Sequence, residues 1–468
     1  MVKRLLTTRA LCVTVLRSSN AIRWIFSADQ GTGSYTKGFL SLEPNVEKCR
    51  HYEQDLPLRT FLPSHPVPLC VSAGGALPGE VWKVGVARVD VPASRLYLSP
   101  PSIQAEDELA LVAAARSGWV APAGPELDGF EDDLSAASQR RHAVALSSGT
   151  AALHLGLLAL GVERGDEVLV SDLTFGATAF AVTYIGAHPV FIDVEEASWN
   201  LDPQALADTL SRRKLDGRLP AAVVAVDVFG RTCDYGRILP LCQEYGVPVL
   251  VDSAEALGAT HGARAAGSLG TAAVFSFNGN KIITTSGGGA LVTDDPEIAR
   301  KVRHWSTQSR EPCPWYEHQE VGFNYRMSNV LAALGRAQLL RLSEIVERRR
   351  AIRDRYCQGL LEIPGVVVMG DPPWGRWNGW LTTVLFDSVP LPNAATRVRQ
   401  ALEALNIESR PVWKPMHQQP VFEKAESVLT GMSDRIFAEG LCLPSGTAMS
   451  DGDVDRVLEV VAASLASL

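Results

Sequence analysis

Three segments between residues 147 and 289 hold the residue types that could do chemistry together. The first is Ser147-Ser-Gly-Thr150, where an apolar strand pattern ends and a helical pattern begins. A helix N-terminus offers unpaired N–H groups and a positive dipole end, which suit a phosphate. Gly149 allows close approach of the backbone, and the Ser and Thr hydroxyls can donate hydrogen bonds. The pattern equally suits a plain turn in which Ser or Thr caps the helix.

The second segment places an acid at the end of an apolar strand. Asp252 follows Val249-Leu-Val251, at the carboxyl end of the predicted sheet, where α/β proteins bind ligands. A buried carboxylate needs a cationic partner or it becomes protonated, and a protonated ring nitrogen would be such a partner. The alternative is an Asp that only caps the next helix.

The third segment contains a lysine where lysine is scarce. Between Lys83 and Lys301 there are only Lys214 and Lys281, and Lys281 lies between a strand pattern and Gly287-Gly-Gly289. Partial desolvation lowers the pKa of an amine and makes it a better nucleophile for Schiff-base chemistry. A solvent-exposed loop lysine is the alternative interpretation.

The order of the three segments predicts a pyridoxal phosphate enzyme. The phosphate of that cofactor needs a helix end, its pyridine nitrogen needs a carboxylate, and its aldehyde needs a lysine. Here the helix end comes first, then Asp252, then Lys281 after another 29 residues. Neither a P-loop motif nor a G-x-G-x-x-G motif follows the first strand, so the turn does not indicate a nucleotide triphosphate or nicotinamide site.

Alternating strands and helices must position these segments. Strand patterns are predicted at residues 142–147, 167–171, 189–194, 221–226, 247–251, 272–277 and 289–293, and helical spacing lies between several of them, as at 151–160, 203–212 and 235–245. This alternation predicts a mostly parallel sheet with helices on both faces. After position 324 the pattern is helical to about 361. A smaller α+β region follows, with a strand near 380–386, a helix near 394–405 and a closing helix near 453–465.

We therefore predict a large α/β domain at residues 95–345, which would bind the cofactor, and a small C-terminal α+β domain at 346–468. Residues 1–94 form an N-terminal extension with a net charge of +4 and no sustained periodicity after position 28. Its first 28 residues are Arg-rich and acid-free, as in organelle transit peptides. The extension is predicted to be poorly ordered, or to precede a true start near residues 85–95.

Composition excludes several classes of protein. The chain has 468 residues, 46% hydrophobic and 21% charged, which is ordinary for a globular protein and excludes intrinsic disorder. Its net charge of −8 argues against nucleic-acid binding. The eight cysteines form no C-x-x-C pair, so no metal site is predicted, and a reducing cytoplasm is the expected setting. No segment reaches the ~18 apolar residues of a membrane-spanning helix.

The sequence from about residue 95 to the C-terminus resembles the DegT-type sugar aminotransferases, a family within the aspartate aminotransferase (fold-type-I) superfamily. The resemblance implies that fold, pyridoxal 5′-phosphate as cofactor, and a homodimer with shared active sites. Eight motifs carry it: residues 97–101, 117–125, 148–154, 252–258, 276–281, 322–327, 410–417 and 442–446.

The resemblance also implies roles for individual residues. Lys281 would link covalently to the cofactor aldehyde and act as the catalytic base and acid, and Asp252 would pair with the pyridine nitrogen. The remaining cofactor-binding positions would be Gly149, Thr150 and Ser276 at the phosphate, Phe175 stacked on the ring, and Asn324 at the phosphate of the neighbouring subunit. Phe175 could instead be a core aromatic residue.

Three further positions carry weaker expectations. Position 255, often His or Gln in the family and placed near the phenolic oxygen of the cofactor, is Glu255 here, and its role is open. Lys414 and His417 would lie near a nucleotide-sugar, with a simple structural role as the alternative.

The resemblance implies transfer of an amino group from an amino acid, expected to be glutamate, to a keto-sugar nucleotide. The segments 278–289 and 413–417 are similar to the branch that acts at C4 of 4-keto-6-deoxy sugars, which includes the bacillosamine and perosamine enzymes. Lys281 argues against the dehydratases of the family, which carry His there. Two alternatives stay open: an aminotransferase for a 3-keto sugar or a cyclitol, and a non-catalytic regulator with the same fold.

Overall fold

The chain divides into two units, residues 1–87 and residues 88–468. The structure, a computed structural model, describes residues 11–18, 21–28, 40–41, 94–387 and 392–466. In the first unit β1 (Leu11–Ser18), β2 (Ala21–Ala28) and β3 (Leu40–Ser41) pair in that order as an antiparallel sheet. The expectation that residues 29–94 are weakly structured falls almost entirely outside the described residues, and a start near residues 85–95 stays a prediction.

The second unit alternates strands and helices along the chain. Its strands are β4 (His142–Leu146), β5 (Glu167–Ser171), β6 (His188–Ile192), β7 (Ala222–Val226), β8 (Val249–Asp252), β9 (Thr260–His261), β10 (Arg264–Ala265), β11 (Ala272–Ser276), β12 (Gly289–Thr293), β13 (Val366–Val368), β14 (Gly375–Arg376), β15 (Thr382–Phe386), β16 (Arg410–Pro411), β17 (Ser427–Val428) and β18 (Gly440–Leu443).

The helices of this unit are α1 (Ala105–Ser117), α2 (Pro125–Ser138), α3 (Gly149–Ala159), α4 (Gly176–Ile185), α5 (Pro203–Leu215), α6 (Tyr235–Tyr245), α7 (Pro296–Ser306), α8 (Asn329–Leu340), α9 (Leu342–Leu360), α10 (Ala394–Ala404), α11 (Met432–Glu439) and α12 (Asp451–Ala466). Three short 3₁₀ turns lie at Val228–Gly230, Met416–Gln418 and Pro420–Phe422. Within the described part of the chain, no helix combines the length and the apolar character that a membrane crossing requires.

The central sheet has eight strands in the order β17-β6-β5-β7-β8-β11-β12-β4. Five neighbouring pairs are parallel, and β12 runs antiparallel to both β11 and β4. β12 is therefore the one strand of this sheet that points the other way. The mostly parallel sheet confirms the predicted fold class.

Both faces of the sheet are buried, which explains its nearly uninterrupted apolar strands. In β7, Val223 and Ala225 pack into one hydrophobic cluster, while Ala222 and Val224 pack into the cluster on the opposite face. The alternation follows from the period of two in a strand, and helices on both faces make both positions apolar.

Predicted and observed elements agree closely. β5, β12 and α6 have the predicted bounds, and the other individually predicted strands and helices differ from the observed ones by at most three residues at either end. The helical stretch predicted from after residue 324 to about 361 begins later, at Asn329, and consists of two helices, α8 and α9. The helix expected at 151–160 begins two residues earlier, at Gly149, because Ser148 is the N-cap and its Oγ accepts a hydrogen bond from Ala151 N at 3.0 Å.

A four-stranded antiparallel sheet, β13-β15-β18-β16, forms the C-terminal α+β region. α9, α10 and α12 contribute to the same hydrophobic cluster as β15 and β18. This confirms the smaller α+β region as part of the fold class. The predicted boundary at residue 346 falls within α9 and stays a prediction.

A buried acid after β6 ties the C-terminal region to the central sheet. The carboxylate of Asp193 accepts hydrogen bonds from the backbone N–H groups of residues 430–433, at 2.7–3.2 Å, and from that of Val194 at 2.8 Å. The hydroxyl of Thr430 donates to it as well, at 3.0 Å. One side chain therefore holds the start of α11 against the edge of the sheet.

We expect Asp193→Ala to lower the free energy of unfolding by about 3 kcal/mol, because several buried N–H groups lose their acceptor at once. Chemical denaturation of the purified protein measures this. Glu196→Ala is the matched control, since the Glu196 side chain is 75% exposed and its one ion pair, with Arg435, is 3.4 Å long. The control should change stability by less than about 0.5 kcal/mol. Equal effects of the two substitutions would contradict the role of Asp193.

Candidate active site

A cavity of about 190 Å³ lies where several strands of the central sheet end. Since parallel strands end at one edge of a sheet, β7, β8 and β11 bring distant segments of the chain together there. Seven of the eight predicted site residues line this cavity: Gly149, Thr150, Phe175, Asp252, Glu255, Ser276 and Lys281. The exception among them is Asn324.

The N-terminus of α3 forms one wall of the cavity. Its first-turn N–H groups have no acceptor within the helix, so they can bind an anion. A Cβ at position 149 would lie 3.0 Å from Ser276 Cβ, a distance that real side chains seldom reach. Glycine therefore lets the start of α3 approach Ser276 at the end of β11. Hydroxyls and free N–H groups converge there, as a phosphate requires.

Asp252, the last residue of β8, is buried beside the cavity. Its Oδ2 accepts a hydrogen bond from Thr178 Oγ1 at 2.7 Å, and its Oδ1 accepts one from Ala254 N at 3.1 Å. Burial raises the pKa of the Asp252 carboxyl, and the Thr178 hydrogen bond opposes this effect. In the part of the chain that the structure describes, no cationic side chain forms an ion pair with Asp252. The carboxylate can therefore accept a cationic ring nitrogen.

Lys281 follows β11, and its side chain lines the cavity. Its Nζ donates to Glu255 Oε1 at 3.1 Å and lies 4.3 Å from the centre of the Trp380 ring. The Lys281 side chain is only 10% exposed. A mostly buried amine that shares a cavity with a helix N-terminus and a buried carboxylate fits the three attachment points of pyridoxal phosphate.

Phe175 is the N-cap residue of α4 and is 58% exposed, so it is not a core aromatic residue. Its ring meets the edge of Trp413 at 5.0 Å between centres. Phe175 therefore presents a free aromatic surface to the cavity, which supports the predicted stacking on a planar ring.

The other predicted positions lie outside this cavity. Asn324 is exposed and forms a backbone bridge with Thr307. Lys414 lines a second cavity of about 780 Å³. His417 Nδ1 lies 2.7 Å from Asp172 Oδ2, and its Nε2 lies 3.1 Å from Asp434 Oδ1. These contacts join the C-terminal region to the end of β5.

Sequence reasoning did not assign several residues of the site, among them Thr178, which donates to Asp252, Trp380, which contacts the Lys281 amine, and Trp413, which lines the cavity. Thr178 comes three residues after Phe175, so the two lie on the same side of the first turn of α4, a spacing visible in the sequence. The two tryptophans come from segments far along the chain. No local pattern connects them to Lys281.

A second buried acid, Asp227, lies directly after β7. Its carboxylate accepts hydrogen bonds from Ser253 Oγ at 2.6 Å, Tyr235 Oη at 2.5 Å and Cys233 N at 3.0 Å. Burial raises the pKa of Asp227 to about 6, and the hydrogen bonds oppose that rise. Asp227 does not line the cavity. A substitution of Asp227 can therefore be compared with the same substitution of Asp252, which ends the neighbouring strand, to separate the effect of burial from that of the cavity.

The raised pKa of Asp227 has a measurable consequence for stability. The folded state binds the Asp227 proton more tightly than the unfolded state does, so protonated Asp227 adds its full contribution to the free energy of unfolding below pH 4. This contribution, about 3 kcal/mol, is lost as the pH rises through about 6. We expect Asp227→Asn to remove this part of the pH dependence. Denaturation curves of both proteins from pH 4 to 7 measure it, and parallel pH profiles would contradict the assignment.

The fold and the cavity together fit one class of protein, the fold-type-I enzymes, because the cavity offers the helix end, the buried carboxylate and the lysine that pyridoxal phosphate requires. Residues 101–462 match the DegT/DnrJ/EryC1/StrS aminotransferase family. The chain belongs to this family and is a pyridoxal phosphate-dependent aminotransferase.

Relatives and solved structures agree with this assignment. The chain is 43% identical over 371 residues to a putative pyridoxal phosphate-dependent aminotransferase, EpsN, of Bacillus subtilis, covering 78% of this chain and 95% of the relative. It is 35% identical over 370 residues to GDP-perosamine synthase of Caulobacter vibrioides, covering 79% and 97%. The crystal structure of DesI in the presence of its TDP-sugar product matches with a TM-score of 0.73 at 30% identity, covering 80% of this chain and 94% of that one.

These comparisons confirm the predicted family, the fold class, the enzyme class and the cofactor. The role of each cofactor-binding residue and the subunit arrangement belong to the proposal that follows.

Proposed function

We propose that this enzyme transfers the amino group of glutamate to C4 of a 4-keto-6-deoxy sugar carried on a nucleotide, for polysaccharide or glycoconjugate biosynthesis in the cytoplasm. The observation that carries the proposal is the convergence of Lys281, Asp252 and the start of α3 on one cavity. The relative named GDP-perosamine synthase and the structure of DesI with its TDP-sugar product support a nucleotide-sugar as the acceptor.

Each side chain has a defined task in this proposal. Bound pyridoxal phosphate supplies an electron sink for the α-carbon of the amino acid. Asp252 keeps a proton on the ring nitrogen by charge pairing, since it has no competing cation at ion-pair distance among the described residues. Gly149, Thr150 and Ser276 hold the phosphate, and Phe175 covers one face of the ring. Lys281 anchors the aldehyde and then moves a proton as general base and acid.

The second cavity is suited to the nucleotide part of the acceptor. It shares Asn280 and Trp413 with the first cavity. Its lining includes Lys414 and also Arg410, whose guanidinium pairs with Glu408 of the same lining at 2.7 Å. A ligand in the second cavity could therefore extend its sugar toward Lys281 while the Lys414 ammonium faces its diphosphate.

A homodimer with shared active sites completes the proposal. Asn324 is exposed and does not line the cavity of its own chain. The rings of Phe323 and Tyr325 stack at 5.0 Å and hold the segment on either side of it. This arrangement supports a role for Asn324 at the phosphate of a neighbouring subunit.

The test is a panel of acceptors with glutamate as donor, followed by detection of the aminated product. The panel contains 4-keto-6-deoxy sugar nucleotides, 3-keto sugar nucleotides and a cyclitol ketone. We expect amine formation with the first group. Exclusive turnover of a 3-keto sugar or the cyclitol would overturn the acceptor assignment. If glutamate leaves the cofactor absorbance of the wild type unchanged, the donor assignment is wrong, and a panel of amino acids identifies the donor that the enzyme uses.

A further inference from the structure

The buried carboxylate of Glu255 lies against the amine of Lys281, and the family resemblance leaves its task open. Glu255 Oε1 is 3.1 Å from Lys281 Nζ, and both side chains are at most 10% exposed. The distance permits direct proton exchange without a bridging water. The pair has no net charge, so it can be buried whether the proton lies on nitrogen or on oxygen.

The backbone fixes the orientation of Glu255. Its second oxygen, Oε2, accepts a hydrogen bond from Phe229 N at 2.7 Å. Phe229 has φ 54°, a left-handed conformation that is costly for a residue other than glycine. The strain is maintained by Trp377, whose Nε1 donates to Phe229 O at 2.5 Å. This leaves Oε1 free to face the lysine.

A further contact holds the Glu255 backbone. Asn378 Nδ2 donates to Glu255 O at 2.7 Å and to Leu257 O at 2.9 Å. Two segments that are distant in the sequence therefore hold Glu255: the segment around Phe229 binds its carboxylate, and the segment around Asn378 binds its backbone carbonyl. Such a surplus of contacts is typical of a side chain that must keep one geometry.

Lys281 is also placed to carry a positive charge when it is not bonded to the cofactor. The face of the Trp380 ring lies 4.3 Å from Nζ, and Trp380 itself is fixed because its Nε1 donates to Asn280 O at 2.7 Å. An ammonium between a carboxylate and an aromatic face is stable, but an ammonium cannot act as a base. The lysine therefore needs a partner that removes its proton.

We propose that Glu255 is a catalytic residue that accepts the ammonium proton of Lys281 and returns it. In this step one Nζ–H bond breaks, an O–H bond forms on Oε1, and the electron pair stays on nitrogen, so the neutral amine is available as base. The inference rests on the proposed role of Lys281.

The surroundings of Glu255 suit proton exchange. Burial raises the pKa of the Glu255 carboxyl, which brings its proton affinity nearer to that of an amine, and the charge of Lys281 opposes this effect. The other titratable groups that act electrostatically with Glu255 are Asp252, at the end of β8, and the buried Cys442 of β18.

The first experiment labels Lys281 in cofactor-free protein with formaldehyde and cyanoborohydride across a pH series, and mass spectrometry follows the peptide that carries it. Only the neutral amine reacts. In Glu255→Gln the ammonium loses its carboxylate partner, so we expect the midpoint of labelling to fall by at least about one pH unit. Below the midpoint this means about tenfold faster labelling. Asp227→Asn is the matched control and should leave the midpoint unchanged.

The second experiment follows the absorbance of cofactor-loaded protein in a single turnover with L-glutamate alone. An amide cannot accept the proton, so Glu255→Gln should react at least about tenfold more slowly although it has more neutral lysine. Glu255→Asp should restore part of the rate. A merely structural role would not produce faster labelling together with slower turnover.

An unchanged labelling midpoint, or a wild-type single-turnover rate, in Glu255→Gln would overturn the proposal. If Glu255→Gln does not fold, Glu255→Asp decides the question, since its shorter side chain should give a smaller shift in the same direction. Labelling uses neither donor nor sugar, so a failure of the acceptor assignment leaves this test intact.

Discussion

Replacement of Lys281 by alanine should abolish both catalysis and the visible absorbance of lysine-bound cofactor. A positioned acid–base group contributes about 10²–10⁴-fold to a rate, and Lys281 would also anchor the cofactor, so we expect activity to fall by at least about 10⁴-fold. Product formation from glutamate and a keto-sugar nucleotide, together with an absorbance spectrum, measures the two effects.

Lys214→Ala is the matched control for this substitution. Lys214 lies exposed on α5, with its amine 5.1 Å from the centre of the Tyr245 ring, and has no contact with the cavity. Activity and absorbance of this variant should equal those of the wild type. Retention of both properties in Lys281→Ala would refute the assignment of the active site.

The second large effect is expected for Asp252→Asn. The amide keeps the size of the side chain and can still accept the Thr178 hydrogen bond, but it lacks the negative charge that would hold a proton on the ring nitrogen. Loss of one preorganised electrostatic group costs about 10²–10³-fold in kcat, and we expect a decrease of that size. Steady-state kinetics with glutamate as varied substrate measure it.

Asp227→Asn provides the comparison for Asp252→Asn. Both acids are buried at the ends of neighbouring strands, and only Asp252 lines the cavity. The Asp227 variant should keep kcat within a few-fold of the wild type. A comparable loss of kcat in both variants would show that burial of a carboxylate, rather than its contact with the cofactor, is what matters.

Asp252 and Glu255 illustrate how far two neighbouring acids can differ in task. Asp252 is held by the Thr178 hydroxyl and faces the cavity without an ion-pair partner among the described residues. Glu255 is held by a backbone N–H group and faces the amine of Lys281. In our proposal the first keeps its charge, while the second gains and loses a proton.

The sequence by itself determined the central sheet and the main parts of the site. Apolar strand runs and helical spacing are local properties, and so are the turn after β4 and the acid that ends β8. For this reason the bounds of β5, β12 and α6 could be predicted to the residue. Gly149, Asp252 and Lys281 could be chosen because each lies at the junction of two predicted elements.

Only the tertiary structure decided which side chains meet. Trp380 contacts the Lys281 amine and Trp413 lines the Lys281 cavity, although both lie about 100 or more residues from Lys281 in the sequence. Glu255 faces the lysine because β8 and β11 are neighbours in the sheet. Strand order and the strained backbone at Phe229 arise from packing over the whole domain. Local sequence patterns report burial and periodicity, but a contact between distant side chains depends on how all elements pack together.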